Sequence, residues 1–247
     1  MNTTLARLGN GLLDLIYPPV CLVCGDSAAS GALCGGCVAS FLPVPEPGCP
    51  VCGRPLERDD CGTCARFVAE TGAAFAFDGA CAGAVYAGAL RHAVHLLKYR
   101  ERERLGVPLG AFLANRLVTD GLLPDPGAIH FVAFVPMHPS RERGRGYNQA
   151  RLLAAPISEL LAVPLHADGV VIRARKTSPQ VGMSDKARRA NITADVFAVP
   201  DPGAIRGKGV LLVDDVFTTG TTASACAAVL KGAGAARVQV ACLGAGG

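Results

Sequence analysis

Tryptophan is absent from this 247-residue chain, and aromatic residues make up only 5% of it. A surface that grips a nucleic-acid strand by stacking bases on rings therefore has few rings to use. No apolar run approaches the ~20 residues that a membrane-spanning helix needs, so none is expected. The formal charge of +4 is modest. As a net figure it neither demands nor excludes an anionic partner, and the clustering of the basic residues says more. The five histidines, His92, His95, His130, His138 and His166, are scattered without metal-ligand spacing. An export signal is missing too. The N-terminal "TLARLGNGLLDLIYPPV" has Arg7 as its one basic flank, carries Asp14 inside its apolar stretch, and lacks a small-x-small cleavage site. It reads as a short amphipathic helix ended by Pro18 and Pro19. The expected compartment is cytoplasmic, where disulfides are rare.

Cysteine, by contrast, is abundant and ordered. Eight of the 11 cysteines form four CxxC pairs: Cys21/Cys24, Cys34/Cys37, Cys49/Cys52 and Cys61/Cys64. A CxxC knuckle turns tightly enough to aim two thiolates at one metal, and two knuckles complete a tetrahedral zinc site. Sequential ribbons, 21/24 with 34/37 and 49/52 with 61/64, need only short loop closures; a cross-braced pairing satisfies the same spacing. Cys81, Cys226 and Cys242 have no partner spacing and read as small buried hydrophobes.

This divides the chain into a lead-in helix over residues 1–18, a double zinc ribbon over 19–68 and an α/β domain over 69–247. The ribbon segment is rich in Gly and Pro and lacks periodic apolar pattern, so metal must hold it together. After it, strand-like and helix-like segments alternate. "AGAVYAGAL", "IHFVAFVPM", "GVVIR", "GVLLVDDV" and "ARVQVACL" read as strands. "ALRHAVHLLKY", "LGVPLGAFLANRLVTDGLL", "GYNQARLLAAPISELLA" (with a kink expected at Pro156) and "TTASACAAVLKGAGA" read as helices. That alternation predicts a parallel sheet flanked by helices, with ligands at the carboxyl ends of its strands.

"VLLVDDVFTTGTT", Val210 to Thr222, is the most informative stretch. It is expected to close a buried strand on Asp214 and Asp215 and to open a helix through Thr218, Thr219, Gly220, Thr221 and Thr222. Backbone N–H groups at such a helix start bind anions, and threonine hydroxyls add donors. Two carboxylates just upstream accept hydrogen bonds from vicinal hydroxyls. Phosphate on one side and diol on the other describe a ribose 5-phosphate. "VPMHPSRERGRGYNQA" follows a predicted strand and carries Arg141, Arg143 and Arg145 in what reads as a flexible loop. Guanidiniums grip a diphosphate in bidentate fashion. Asn148 and Gln149 either assist them or cap the next helix; Lys98 and Tyr99, at a helix end, either face the site or, as is commoner for such a lysine, snorkel at the surface.

"VLLVDDVFTTGTT" resembles the phosphoribosyl pyrophosphate (PRPP) signature of type I phosphoribosyltransferases, especially that of orotate and amidophosphoribosyl transferases. With "LLDLIYPPVCLVCG", "LLKYRERERLG", "VPMHPSRERGRGYNQARLLA" and "RARKTSPQVGMSDKARRANITADVF", nearly the whole chain resembles the ComF/GntX family of competence-associated proteins. The resemblance implies a type I phosphoribosyltransferase-like fold with an N-terminal zinc-ribbon module. It implies PRPP held with Mg2+ by Asp214 and Asp215, Thr218 to Thr222, and Arg141, Arg143 and Arg145. It also implies a lid carrying Arg173, Thr177, Gln180, Arg188 and Asn191. If the chain catalyses, the reaction is phosphoribosyl transfer with Asp214 and Asp215 as its catalytic acids. Purine-salvage relatives have an acid where Thr218 stands, which argues against their route, and no residue identifies the acceptor. Through its link to natural transformation the family also implies single-stranded DNA and a competence helicase or DNA-processing proteins as partners. The second class of function is thus a DNA-binding accessory that uses the ribbons and basic loops instead of catalysing.

Overall fold

The computed structural model describes residues 19–28, 31–56, 60–99, 102–166, 170–173 and 196–246. The lead-in helix expected over residues 1–18 lies outside them. From the N-terminus the elements are α1 (Gly35–Ala39), α2 (Gly62–Thr71), β1 (Gly79–Val85), α3 (Gly88–Tyr99), α4 (Gly106–Val118), β2 (Phe131–Phe134), α5 (Pro139–Arg145), α6 (Gln149–Leu161), β3 (Ile172–Arg173), β4 (Phe197–Ala198), β5 (Gly209–Phe217), α7 (Thr221–Gly232) and β6 (Arg237–Ala245).

The apolar runs at Gly209–Phe217 and Arg237–Ala245 become the two central strands, buried almost along their whole length. Continuous apolar strands of this kind need cover on both faces, which is the environment of a parallel sheet. The order is β1-β6-β5-β2, and every neighbouring pair is parallel. All four carboxyl ends therefore lie along one edge. Leu211, Val213, Ala241 and Leu243 face a core built from Leu90, Val94 and Leu97 of α3, Leu109, Leu113 and Leu117 of α4, and Leu153 and Ile157 of α6. Val210, Leu212, Val238 and Val240 face the opposite core, with Cys226 and Leu230 of α7 and Phe67 of α2.

Two local expectations need correction. Strand β5 does not end at the acids. It runs on through Val216 and Phe217, which pair with Gly244 and Ala245 of β6, because Phe217 is needed in an aromatic cluster with Phe75 and Phe77. "GVVIR" does not join the main sheet. Only Ile172–Arg173 is strand, paired antiparallel with β4 in a separate two-stranded ribbon. Pro156 lies inside α6, which continues to Leu161.

The cysteine-rich segment is not an appendage with its own surface. Its first half joins one core: Ala32, Leu33 and Phe41 pack there, and Phe41 meets Phe112 of α4 edge-on at 5.0 Å between ring centroids. Its second half joins the other, where Phe67 stacks on Phe75 at 3.9 Å. Between them the Val85 N–H donates to the Leu42 carbonyl at 2.8 Å, so the segment wraps the β1 edge of the sheet. At Gly53 the approach is so close that an added Cβ would lie 2.3 Å from the Ala80 carbonyl oxygen, and the residue has a φ of +66°. Gly53→Ala should therefore lower stability by about 2–3 kcal/mol. Gly62→Ala, whose Cβ would enter open space, should change it by less than about 0.5 kcal/mol. Chemical denaturation of both variants checks this; equal losses would mean that the turn does not depend on the contact with β1.

Candidate metal centres and anion site

The four knuckles gather into two clusters, Cys21/Cys24/Cys34/Cys37 and Cys49/Cys52/Cys61/Cys64, with all ligand atoms of a cluster within 4.8 Å of one another. This resolves the pairing in favour of sequential ribbons. Four sulfurs bound at about 2.3 Å to a tetrahedral zinc stand about 3.8 Å apart. The sulfurs here lie 3.7 Å apart for Cys21 and Cys37, 3.6 Å for Cys24 and Cys34, 3.7 Å for Cys49 and Cys64, and 3.4 Å for Cys52 and Cys61. Both sites thus fit structural zinc. Cys34 caps α1 and Cys61 precedes α2, so the second knuckle of each ribbon sits at a helix start. Against the cost of burial, backbone N–H groups draw Cys21 down to about 6. Backbone and side-chain hydrogen bonds draw Cys61 down to about 7. Burial and neighbouring sulfurs push Cys37 and Cys52 up. Thiols packed this tightly cannot all ionise until a cation offsets their repulsion. Of the unpaired cysteines, Cys226 and Cys242 lie in the core, and burial raises the thiol of half-buried Cys81 to about 12.

At the carboxyl end of β5 the chain turns into α7 through Thr218, Thr219 and Gly220. Gly220 is the helix N-cap with a φ of +74°, and an added Cβ would strike Phe217 at 2.5 Å and Phe75 at 2.6 Å. The glycine is therefore required by its left-handed backbone and by the aromatic floor beneath the turn. Thr218 is exposed, while Thr219, Thr221 and Thr222 are half-buried. The Thr219 and Thr221 hydroxyls lie 3.0 Å apart.

The two acids differ sharply. Asp215 is buried at 4% exposure. Its Oδ1 lies 2.8 Å from Lys98 Nζ, and its Oδ2 accepts from Gln149 Nε2 at 2.7 Å. Asp214 is half-buried, and its Oδ1 accepts the Asp215 N–H at 2.8 Å. Burial and the Asp215 charge beside it push the Asp214 carboxyl up to about 7, against the pull of that N–H and of Lys98. Lys98 is thus not the surface lysine expected: burial opposes its charge, but Asp215 holds its pKa above the ordinary value.

The arginine segment is a seven-residue helix, α5, and not a flexible loop. Its start is fixed by Pro139 and by His138 as N-cap. Arg141 and Arg145 share a face of it, and Arg143 leaves on the other side. Arg141 and Arg143 are exposed. Arg145 donates to Gln149 Oε1 and lies over the Tyr99 ring, 5.8 Å from its centroid. Gln149 therefore links Arg145 to Asp215, while Asn148 caps α6 by accepting from the Ala150 N–H at 2.9 Å. Of the expected lid, only Arg173 is among the described residues; Thr177, Gln180, Arg188 and Asn191 lie outside them. Arg173 lies 5.6 Å from the Phe197 ring centroid, and burial and the neighbouring Arg141 lower its pKa. Arg141 of α5 and Arg173 of β3 are thus near enough for their charges to repel.

Sequence reasoning missed Arg54 altogether. It follows the first knuckle of the second ribbon, and its Nη1 donates to the Thr218 carbonyl at 3.1 Å and to Thr63 Oγ1 at 3.3 Å. A metal ribbon thus touches the threonine turn directly. Position just after a CxxC-Gly turn was the one available signal, and it does not say where the side chain goes.

A four-stranded parallel sheet with an acid pair and a threonine turn, fused to two four-cysteine ribbons, defines a zinc-ribbon protein of the phosphoribosyltransferase class. Residues 12–70 match a double zinc ribbon domain, and residues 148–247 match a phosphoribosyl transferase domain. The chain is 31% identical over 238 residues to the DNA utilization protein YhgH of Escherichia coli K12, covering 93% of this chain and 98% of YhgH. It is 36% identical over 106 residues to competence protein F of Haemophilus influenzae, 43% of this chain and 46% of that protein. A solved glutamine PRPP amidotransferase from B. subtilis, in complex with ADP and GMP, overlays 61% of this chain and 30% of its own at a TM-score of 0.41 and 18% identity. The chain belongs to the family of competence protein F and YhgH. No helix among the described residues is long and apolar enough to cross a membrane.

Protein purified without added zinc should carry two zinc ions per chain by metal analysis. Fewer than one, with eight freely titrating thiols, would contradict the assignment. Zinc displaces thiol protons, so affinity should fall as pH falls and metal should leave on acidification. Cys61→Ser should release the second metal. It should also lower the stability of the whole chain, because α2 carries Phe67 into the second core.

Proposed function

We propose that this chain binds PRPP with magnesium at the carboxyl end of β5, as a phosphoribosyltransferase-type protein serving the use of incoming DNA. The observation that carries the reading is the half-buried Asp214 carboxyl near the end of β5, just ahead of the threonine turn that opens α7. The turn from Thr218 to Thr222 receives the 5-phosphate on its backbone N–H groups and hydroxyls. Asp214 accepts the ribose hydroxyls. Asp215, with both oxygens engaged by Lys98 and Gln149, fixes the strand end and supplies negative charge behind Asp214. Arg141, with Arg173 across from it, receives the diphosphate, and the outward Arg143 adds long-range attraction. Magnesium, an oxygen-seeking cation, would screen the diphosphate against the carboxylates. If transfer occurs, pyrophosphate leaves C1 toward α5.

Calorimetry with PRPP, with and without magnesium, tests this. Asp214→Asn should weaken magnesium-dependent binding by about 1.5–3 kcal/mol with little loss of stability. Adding Asp215→Asn should weaken binding further and destabilise the chain, since Lys98 then loses its partner. Unchanged affinity in Asp214→Asn would mean that the carboxyl serves structure alone.

A second reading takes up the relatives named for DNA utilization and for competence. Exposed Arg141 and Arg143 suit phosphates of a single strand. Arg141→Ala with Arg143→Ala should weaken single-strand binding and reduce its salt slope by about 0.7 per lost contact. Gel shifts at two salt concentrations read this, and an unchanged slope removes α5 from any DNA track. Deleting residues 1–66 is a poor substitute, because it strips the β1 edge and both cores.

A further inference from the structure

A cleft separates the second zinc ribbon from the threonine turn, and Arg54, Thr63, Arg66, Glu70, Thr218 and Thr219 line it. Its ribbon wall is one face of α2. Thr63, Arg66, Phe67 and Glu70 recur at helical spacing and so line up along that face. Phe67 stacks on Phe75 and fixes the rotation of the helix. Arg54 is held from behind, where its carbonyl accepts the Cys49 N–H at 2.7 Å. Its Nη1 is turned onto Thr218 and Thr63, and a guanidinium has further donors to offer.

The position of the cleft decides what it can hold. Thr218 and Thr219 belong both to it and to the turn read above as the 5-phosphate site. The diphosphate side of that site, by Arg141 and Arg173, is elsewhere. A group of the bound sugar that enters the cleft is therefore one carried by the 5-phosphate and not by C1. Two cations, Arg54 and Arg66, line the cleft with the turn; Glu70, one turn along α2 from Arg66, lines it as well. The geometry points to a second anion subsite, built by the zinc ribbon, for a phosphate joined to the 5-phosphate of the bound ribose. The ligand class is a ribose 5-diphosphate ester. PRPP itself has nothing to place there. The inference rests on the sugar-phosphate reading, and it adds that the ribbon selects what the 5-phosphate carries.

The test uses the zinc-loaded full chain and two probes, ribose 5-phosphate and ADP-ribose, titrated by calorimetry at fixed salt. Charge-assisted hydrogen bonds to one more phosphate should make ADP-ribose bind at least about tenfold tighter. In Arg66→Ala, an exposed position, that ratio should fall toward one, with zinc content unchanged. Equal affinities in the unaltered chain overturn the subsite. So does a ratio that survives in Arg66→Ala, since the preference then comes from the adenosine. If neither ribose 5-phosphate nor PRPP binds, the sugar-phosphate reading fails first and takes this one with it. PRPP binding without the ADP-ribose advantage leaves that reading standing and removes the cleft alone.

Discussion

A carboxylate at 4% exposure among apolar strands must find a cation, and Asp215 finds Lys98 at 2.8 Å. Removing such a partner costs several kcal/mol, because the remaining charge stays buried. The pair ties the end of α3 to β5, and Gln149 adds α6 and, through Arg145, α5. Four elements that meet at the sheet's carboxyl edge are thereby fixed around one acid. The second acid is left in a different state. With Asp215 charged beside it and little water around it, Asp214 holds its proton up to about 7. Adjacent positions on a strand send side chains to opposite faces, and that geometry commits Asp215 to the scaffold and leaves Asp214 half-buried at the sheet's carboxyl edge.

The ribbons matter for a similar reason. A parallel sheet must be covered on both faces, and its edge must be closed. The described edge strand β1 is wrapped by a segment that has too few apolar residues to fold alone. Metal supplies what that segment lacks. Once the knuckles are formed, Leu33 and Phe41 serve one core and Phe67 the other. The Phe67–Phe75–Phe77–Phe217 stack then runs under the threonine turn. The cysteine clusters and the shape of the threonine turn are thus parts of one packing arrangement, in which the ribbon adds side chains to both cores of the α/β unit.

Much of this was legible from residue order. The four CxxC pairs gave the two metal clusters, and the alternation of apolar runs gave the parallel sheet with its acids and threonines at one edge. Other features were hidden because they depend on contacts distant in sequence. Lys98 looked like a surface lysine because nothing within its helix shows that Asp215, far along the chain, will stand against its Nζ. The segment at Pro139 looked like a loop because its glycines and arginines carry no apolar period; the His138 cap and the proline start make it a helix. Strand β5 outran its expected end because the need for Phe217 in the aromatic stack outweighs the polarity of the two acids. The need for a glycine at Gly220 was hidden in the same way, since the Phe75 ring that excludes a side chain there comes from far along the chain.

These contacts also order the strength of the site's parts. The acids sit on a central strand that stays paired with buried β6 past them, so their backbone opens only when that pairing does. The threonine turn lies beyond the paired strand and has no such ladder among the described residues. Below, it rests on Phe75 and Phe217, and at its side on Arg54. Both supports lead back to the second ribbon: one through Phe67, the other through the knuckle that carries Arg54. Loss of the second metal would therefore loosen the threonine turn well before it disturbed the acid pair, while the first ribbon, packed on α3 and α4, bears on the side where Lys98 emerges. The two four-cysteine clusters, alike in ligands and spacing, thus support different parts of the sheet's carboxyl edge.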